Sequence, residues 1–264
     1  MKKHILLAGS NLRKAKSQTT AIIVLMLLAS VMLNLWFMLS TDYKQNFDRC
    51  HDKLNAGHVT LSLSSDNEEI QKFLTETIEK DTRTDSFSLD PIMQMPGSFS
   101  YNGGEINAEL VLLEKQAALT RSVEKIEIVE DSPFQSGIYL PVLYQSEDIA
   151  TGKTITLSIG GNDISYTVCG FFNSVMAGSH NCTLCGILLT EDKYRELEQS
   201  GFAVRSTICS VRLKDKADSE SYETMLKNAV STRYPAVRTV SNSYALVSQS
   251  RYISQMICSG ILSA

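Results

Sequence analysis

The chain has 264 residues, of which 43% are hydrophobic and 20% are charged, with 14 glycines and 5 prolines. This composition is typical of a globular protein and excludes a disordered, collagenous or low-complexity chain. The net charge is −4, but the first 20 residues contain five basic residues and no acidic ones, which leaves 29 acidic and 20 basic residues in the remainder. That acidic balance disfavours nucleic-acid binding, because phosphate contacts need Lys and Arg. Six cysteines are too few for a disulfide scaffold in a chain of this length.

Residues 21–39 form an uncharged apolar segment in which Ser30 and Asn34 are the polar exceptions. In a helix this segment spans roughly 28 Å, close to the ~30 Å hydrocarbon core of a bilayer. We therefore predict a transmembrane helix. A cleaved signal peptide is one alternative, but it would be shorter and would end in small residues, whereas Trp36 and Phe37 lie near the exit. A buried core helix is the other, but such helices are rarely apolar around their whole circumference.

The basic segment 1–20 sets the predicted orientation of this helix. It carries Lys2, Lys3, Arg13, Lys14 and Lys16. By the positive-inside rule the N-terminus is cytoplasmic, and everything from about Ser40 onward lies outside. The segment suits a helix lying on the anionic inner leaflet, with an unstructured basic tail as the alternative.

Both ends of the outer part are predicted to be stalks. Residues 40–57 carry Tyr43, Phe47, Cys50 and Leu54 at helical spacing, so the membrane helix is predicted to continue outward until Gly57 ends it. Residues 243–264 are predicted to be a second stalk, paired with the first, and the truncated start of transmembrane helix 2. A frayed amphipathic helix is the alternative for the apolar run at this end.

Residues 58–242 are predicted to form a mixed α/β extracytoplasmic domain, so the expected fold class is α+β with a membrane anchor. Alternating apolar residues and glycine-containing turns predict strands. The strand predictions are a half-buried strand over 58–65, a strand pair around 102–104 that ends at 109–113, strands over 126–129 and 137–144, a hairpin over 153–172, and strands over 186–190 and 204–213.

Three helices are predicted between these strands. A capping box over 65–68 opens the first helix, whose apolar face is Ile70, Phe73, Leu74 and Ile78. The second covers about 191–196, and the third carries an apolar face from Tyr222 to Val230 and ends before Pro235. Strand-helix-strand units therefore flank a strand-rich insertion over about 115–201. We expect the flanking units to form a small α/β layer on the stalk, with the insertion directed away from the membrane.

The sequence offers little support for catalysis. It contains no H-E-x-x-H, G-x-S-x-G or G-x-G-x-x-G motif, and Gly152-Lys153-Thr154 lacks the first glycine of a phosphate loop. We predict that the chain is not an enzyme and has no catalytic, cofactor-binding or metal-binding residues.

One local cluster, His180 with Cys182 and Cys185, could ligate zinc, but a structural site needs four ligands and the other outer cysteines are isolated in sequence. A disulfide among Cys50, Cys169 and Cys209 or with this cluster stays open, and Asn181-Cys182-Thr183 is a formal glycosylation sequon. His4, His51 and His58 are interpreted as solvated or capping residues.

Three segments in fixed order carry a family resemblance: GIYLP at 137–141, EDIATGKTITL at 147–157 and YTVCGFF at 166–172. They resemble a short strand, an alanine-containing turn, a G-[DK]-x-[IL]-x-[LI] strand and a V-x-G strand in the outer domain of the FtsX-like/MacB-like permeases of ABC transporters. The order of basic start, membrane span, stalk, outer domain and returning span is also similar to that family. The resemblance covers the whole chain, as the first half of such a permease.

The resemblance implies a non-catalytic permease subunit in the cell membrane, driven by a separate cytoplasmic ABC ATPase. Such subunits work as homodimers or beside a second permease subunit, and their stalks pass ATP-driven motions to the outer domain for export or mechanotransmission. This sequence lacks the later spans, so we expect a permease fragment in contact with the lipid bilayer. The alternative function is a single-span, signal-anchored extracytoplasmic binding or sensor protein.

Overall fold

The structure is a computed structural model that describes residues 16–178 and 184–258. The chain divides into two units, Met1–Asn46 with Tyr252–Ala264, and Phe47–Arg251. The helices are α1 (Lys16–Lys53), α2 (Glu68–Lys80), α3 (Lys115–Leu119), α4 (Glu191–Ser200), α5 (Ser219–Arg233) and α6 (Tyr244–Cys258). The strands are β1 (Val59–Leu63), β2 (Thr84–Tyr101), β3 (Gly104–Glu114), β4 (Glu127–Asp131), β5 (Ile138–Pro141), β6 (Thr154–Ile159), β7 (Asn162–Asn173), β8 (Leu184–Leu189), β9 (Val204–Leu213) and β10 (Thr239–Ser243).

The first unit consists mainly of the apolar part of α1. Among the described residues, Thr20–Lys53 is one helix that is long and apolar enough to cross a membrane, and its most apolar window, of mean hydropathy 2.5, is not buried at all. That exposure excludes a buried core helix. The Asn34 side-chain amide donates to the Ser30 carbonyl at 2.9 Å, so this polar group is satisfied within its own helix. The rings of Tyr43 and Tyr252 lie 5.5 Å apart.

In the second unit, β10, β1, β9 and the first half of β2 form an antiparallel layer in that order. The helices α2 and α5 cover one face of this layer, and a shared apolar core forms between them. Its most buried members are Val59, Leu61, Leu63, Leu74, Ile78, Cys209, Val211, Tyr222, Leu226 and Val230. Burial of such side chains is worth roughly 1.5–3 kcal/mol each, so this core is the main reason that the two helices dock.

Six strands of the second unit close into a barrel. β2 pairs with β3, β3 with β8, β8 with β5, β5 with β7, β7 with β6, and β6 returns to β2. Alternate residues of all six strands point inward and fill the barrel with apolar side chains, as small barrels require. These include Phe99, Leu110, Leu112, Ile138, Leu140, Leu157, Ile159, Val168, Phe171, Ile187 and Leu189.

The 18-residue strand β2 belongs to both parts of the second unit. Its segment from Thr84 to Gln94 pairs with β9 in the layer, whereas the segment from Met93 to Tyr101 pairs with β3 in the barrel. The barrel therefore takes in β2 and β3, which precede the predicted insertion over about 115–201.

Most predicted elements of the outer part are found, and the α+β fold class is confirmed. The hairpin between β6 and β7 turns on Gly160-Gly161, and the one between β2 and β3 turns on Asn102-Gly103. All four turn residues have positive φ, between 48° and 78°, which is the geometry of a type I′ turn.

Several predictions in the outer part were wrong in detail. β1 is buried on both faces rather than half-buried, and on the face opposite to Leu61 the hydroxyl of Ser62 donates to the buried side-chain oxygen of Gln94. α2 is capped by Asn67, which accepts from the Glu69 amide at 2.8 Å, rather than by Ser65. The strand predicted over 137–144 ends at Pro141, and the chain continues as a 3₁₀ turn. The elements α3 and β10 had no predicted counterpart.

The packing of β4 on β7 yields a prediction about Gly170. A Cβ atom at this position would lie 2.0 Å from the Glu130 carbonyl oxygen, a backbone atom that cannot move aside. We expect Gly170→Ala to lower the free energy of unfolding by about 1–3 kcal/mol through overpacking. Urea unfolding of the full chain in detergent, followed by circular dichroism, measures the change.

The matched control for Gly170→Ala is Gly104→Ala. A Cβ atom at Gly104 would meet the Tyr101 carbonyl at 3.6 Å, an ordinary contact. This variant should unfold close to wild type, and equal destabilisation of the two variants would contradict the packing described for β4 and β7.

Candidate functional site: the junction at the end of α1

The region in which the chain leaves α1 and enters the sheet is held together by polar contacts from several elements. We call it the junction, and it comprises residues 47–58, the segment 122–125, residues 212–216 and Tyr244. α1 ends at Lys53, before the Gly57 at which the sequence predicted its end, because Asn55 takes a positive φ of 45° that breaks the helix. The linker to β1 is therefore short.

The segment 122–125 is hydrogen-bonded to this linker through its backbone. The Lys125 amide donates to the Leu54 carbonyl at 2.9 Å, and the Glu124 amide donates to the Asn55 carbonyl at 3.0 Å. The Asn55 side chain donates to the Ser122 carbonyl at 2.7 Å. Backbone groups that follow α1 are thus tied to a loop nearly 70 residues later.

The carboxylate of Glu124 completes this connection. It is 2% exposed and accepts three hydrogen bonds, from the Gly57 amide at 3.2 Å, the Ser174 hydroxyl at 3.0 Å and the Met176 amide at 2.9 Å. A buried carboxylate is costly unless such donors satisfy it. Glu124 itself has a φ of 61°, a strained geometry for this residue type that the surrounding contacts maintain.

Arg212, near the end of β9, joins α1 to the layer. One of its guanidinium nitrogens lies 2.6 Å from the Asp52 carboxylate, and the other donates to the Ala56 carbonyl at 3.0 Å. The hydrogen bond from Arg212 lowers the pKa of Asp52, so this carboxylate stays ionised at neutral pH.

Asp48, Lys216 and Tyr244 form a second connection, which brings the start of α6 to α1. The Lys216 ammonium lies 2.8 Å from the Asp48 carboxylate and 3.1 Å from the Tyr244 hydroxyl, and that hydroxyl donates to Asp48. Burial alone would lower the pKa of Lys216, but its hydrogen bonds to Asp48 and Tyr244 raise it overall. Burial raises the pKa of Tyr244, so the hydroxyl keeps its proton. The ring of Phe47 packs 5.5 Å from that of Tyr244.

Two histidines occupy the centre of the junction. The rings of His51 and His58 stack at 4.7 Å with an angle of 16° between them, and the edge of Tyr244 meets both. His51 lies 3.1 Å from the Gly57 carbonyl through Nε2, and His58 Nδ1 accepts from the Leu213 amide at 2.9 Å. Burial lowers the pKa of His51, and burial followed by the neighbouring His51 lowers that of His58 to about 4.

The interpretation of His51 and His58 as solvated or capping residues was therefore wrong, because both are more than nine-tenths buried. The sequence does carry one signal, since Phe47 precedes His51 by one helical turn and places both on the apolar stripe of the stalk. No pattern in the sequence indicates that Glu124 or Arg212 would meet them. A cleft of about 590 Å³ lies beside the pair, lined also by Asp48, Asp52, Asp85, Lys214, Asp215 and Lys216.

The other residues considered from the sequence are not brought together into a site. Within residues 16–178 and 184–258, no group of three or more His, Cys, Asp or Glu side chains is arranged to hold a metal ion. His180, Cys182 and the sequon at Asn181 lie outside the described residues, as does His4. Cys185 is buried in β8, and none of Cys50, Cys169, Cys185 and Cys209 is joined to another of them by a disulfide.

No protein-family model matches the chain, and no curated protein matches it in sequence. Solved structures similar to it include the periplasmic region of MacB from Actinobacillus actinomycetemcomitans, 12% identical, with a TM-score of 0.31 over 77% of this chain and 94% of that one. Another is the extracellular domain of the noncanonic ABC-type transporter YknZ from Gram-positive bacteria, 10% identical, with a TM-score of 0.30 over 69% of this chain and 99% of that one.

These neighbours are the kind of domain that the sequence resemblance predicted.

The junction yields a prediction about Glu124. In Glu124→Gln one acceptor oxygen becomes an NH₂ group that faces N–H and O–H donors, so we expect the free energy of unfolding to fall by about 2–4 kcal/mol. The matched control is Glu127→Gln, which removes a carboxylate at a partly exposed pair with Lys53 and should unfold close to wild type. Urea unfolding of the full chain in detergent measures both, and a Glu124→Gln protein as stable as the control would contradict the role of this carboxylate.

Proposed function

We propose that this chain is a membrane permease subunit of an ABC transporter of the FtsX/MacB type. A separate cytoplasmic ATPase hydrolyses ATP, and α1 and α6 pass the resulting motions to the sheet and barrel, for export or for activation of a partner outside the membrane. The sequence resemblance of residues 137–172 supports the family. The junction supports the mechanical role.

The observation that carries this proposal is the short linker between α1 and the sheet, which is held by hydrogen bonds along its length. α1 is one uninterrupted helix of 38 residues, from the apolar segment to Lys53. The linker that follows is fixed by the segment 122–125, by Arg212 and by Glu124. A displacement of the last turn of α1 is therefore expected to move β1 and β9 as well, because the backbone amide of every residue from Leu54 to His58 is hydrogen-bonded.

A second helix is fixed to the same region. The Tyr244 amide, at the start of α6, donates to the His58 carbonyl at 2.7 Å, and the Tyr244 hydroxyl donates to Asp48 on α1. Movement of α1 relative to α6 would therefore act at the same time on β1 and β10, which are adjacent strands of the layer. That arrangement suits the transmission of force better than the binding of a substrate.

The proposal assigns ATP hydrolysis to another polypeptide. The described residues bring together no metal site, and the Gly152-Lys153-Thr154 sequence leads into a strand rather than a helix. The N-terminus is cytoplasmic in this proposal, and the second unit lies outside, because the basic residues of the segment 1–20 precede the apolar helix. Permeases of this type act as homodimers or beside a second permease subunit, and we propose the same here.

The coupling role is tested by lengthening the linker between α1 and β1 with flexible residues. A Gly-Gly-Gly insertion between Asn55 and Ala56 should leave the domain folded but uncouple it from α1. The full chain is purified from its host membrane in nanodiscs, and any bound ATPase is identified by mass spectrometry. Two outputs are then measured: the turnover of ATP, and either export or the activation of a partner. We expect the wild-type complex to hydrolyse ATP and the insertion to abolish the transport or activation output while the ATPase stays bound.

The matched control carries the same insertion after Gly161, in the exposed turn between β6 and β7. It should retain the output. Turnover of ATP by the chain free of any other protein would overturn the assignment of hydrolysis to a partner. Failure to recover an ATPase with the wild-type chain would favour the single-span binding or sensor protein instead.

The orientation has its own test. A cysteine introduced at the exposed Asp148 should react with a membrane-impermeant maleimide added to intact cells, whereas a cysteine at Lys3 should react only after permeabilisation. The opposite labelling pattern would reverse the proposed topology.

A further inference from the structure

The stacked pair of His51 and His58 is built for the neutral form of both rings. His58 Nδ1 accepts from the Leu213 amide at 2.9 Å. An imidazolium carries a proton on each nitrogen, so protonation of His58 would set one N–H against another and break the contact with the end of β9. His58 also anchors its neighbours through its backbone, donating to the Val211 carbonyl and accepting from the Tyr244 amide, each at 2.7 Å.

The contact of His51 is of a different kind, because it fixes the tautomer of the neutral ring and would persist in the charged one. Its Nε2 lies 3.1 Å from the Gly57 carbonyl, which can only accept, so the hydrogen-bond pattern places the proton of the neutral ring on this nitrogen. A second proton would go to Nδ1, which lies 3.9 Å from the Asp52 carboxylate. With the rings 4.7 Å apart, two positive charges would repel each other in a site of low exposure.

The charged groups around the pair do not offset an added proton. Asp52 and Glu124 favour a charged His51, but Asp52 is paired with Arg212 and Glu124 is satisfied by three donors. Asp48 is paired with Lys216. The titratable and charged groups that face the histidines or line the adjoining cleft are, from α1, Asp48 and Asp52; from the segment 122–125, Glu124; from β2, Asp85; from residues 212–216, Arg212, Lys214, Asp215 and Lys216; and from α6, Tyr244.

We propose that the His51–His58 pair is an acid-sensitive latch of the junction. Proton uptake by the pair separates Leu213 and Tyr244 from the linker and releases α1 and α6 from the layer. This inference rests on the proposed function for its consequence, which is uncoupling of the helices in acid, but its structural content concerns the junction alone.

The direction of the pH effect follows from the pKa values. Both are lowered by burial, so between about pH 6.5 and the pKa of about 4 for His58 an opened junction binds more protons than a closed one. The latch is fully closed above about pH 6.5 and weakens as the pH falls towards about 4. The depression of the His58 pKa from 6.5 to about 4 corresponds to an about 300-fold change in the ratio of closed to open junction.

Hydrogen–deuterium exchange of the full chain in nanodiscs tests the latch, with rates corrected for the intrinsic effect of pH. The reporting amides are those of His58, Leu213 and Tyr244. We expect their protection to fall at least about tenfold between about pH 6.5 and 4.5, while that of Ile187 in the barrel does not change.

The decisive variant is the double substitution His51→Gln and His58→Asn. The Gln amide nitrogen can take the place of His51 Nε2, and the Asn amide oxygen can accept from Leu213 in place of His58 Nδ1, so the contacts persist but the titration does not. We expect protection in this variant to be independent of pH down to about pH 5. His180→Gln, at a histidine outside the described residues, is the matched control and should behave as wild type.

Two results would overturn the latch. One is equal loss of protection in the wild type and the double variant at the same pH, which would assign the effect to carboxylates. The other, available even if the variant fails to fold, is an NMR titration of the histidine rings in the wild-type chain in which every histidine titrates near pH 6.5. Neither readout uses an ATPase, so failure of the latch and failure of the proposed function are distinguishable.

Discussion

The buried carboxylate of Glu124 is the interaction on which the rest of the junction depends. It joins three stretches that are far apart in sequence, the linker after α1, the loop that contains Glu124 and the segment that follows β7. A buried carboxylate is costly without such donors, so the loss of any one of these contacts weakens the site as a whole. These contacts connect the end of α1 to the sheet, and they hold Glu124 at its φ of 61°.

β2 extends this rigidity beyond the junction. Its first half is held by β9, the strand that carries Arg212 and Leu213, and its second half is one wall of the barrel. A hydrogen-bonded strand resists bending along its length because each of its residues is fixed by a neighbour. The layer and the barrel are therefore joined by a continuous ladder rather than by a loop, and a motion that enters at α1 reaches both.

The sequence predicted local structure well and the site poorly, for physical reasons. Alternation and glycine pairs identify strands and turns because these depend on neighbouring residues, as in the hairpin at Gly160-Gly161. Closure of the barrel depends on pairing of β2 with β6, which are more than 50 residues apart and carry no local sign of each other. The same holds for Glu124 and Arg212 at the junction. The burial of His51 and His58 was not predicted because the residues that contact them include Tyr244 and Leu213, which lie far away in the sequence.

The points at which the chain enters and leaves the outer domain lie side by side. Val59, the first residue of β1, lies directly opposite Ser243, the last residue of β10. Paired residues in antiparallel strands have Cα atoms only about 4.5–5.5 Å apart, a gap that a short turn could close. The whole sheet and barrel are thus inserted into what would otherwise be a simple helical hairpin. A domain attached in this way can be enlarged, exchanged or deleted in evolution without changing the helices that support it, since both attachment points move as one.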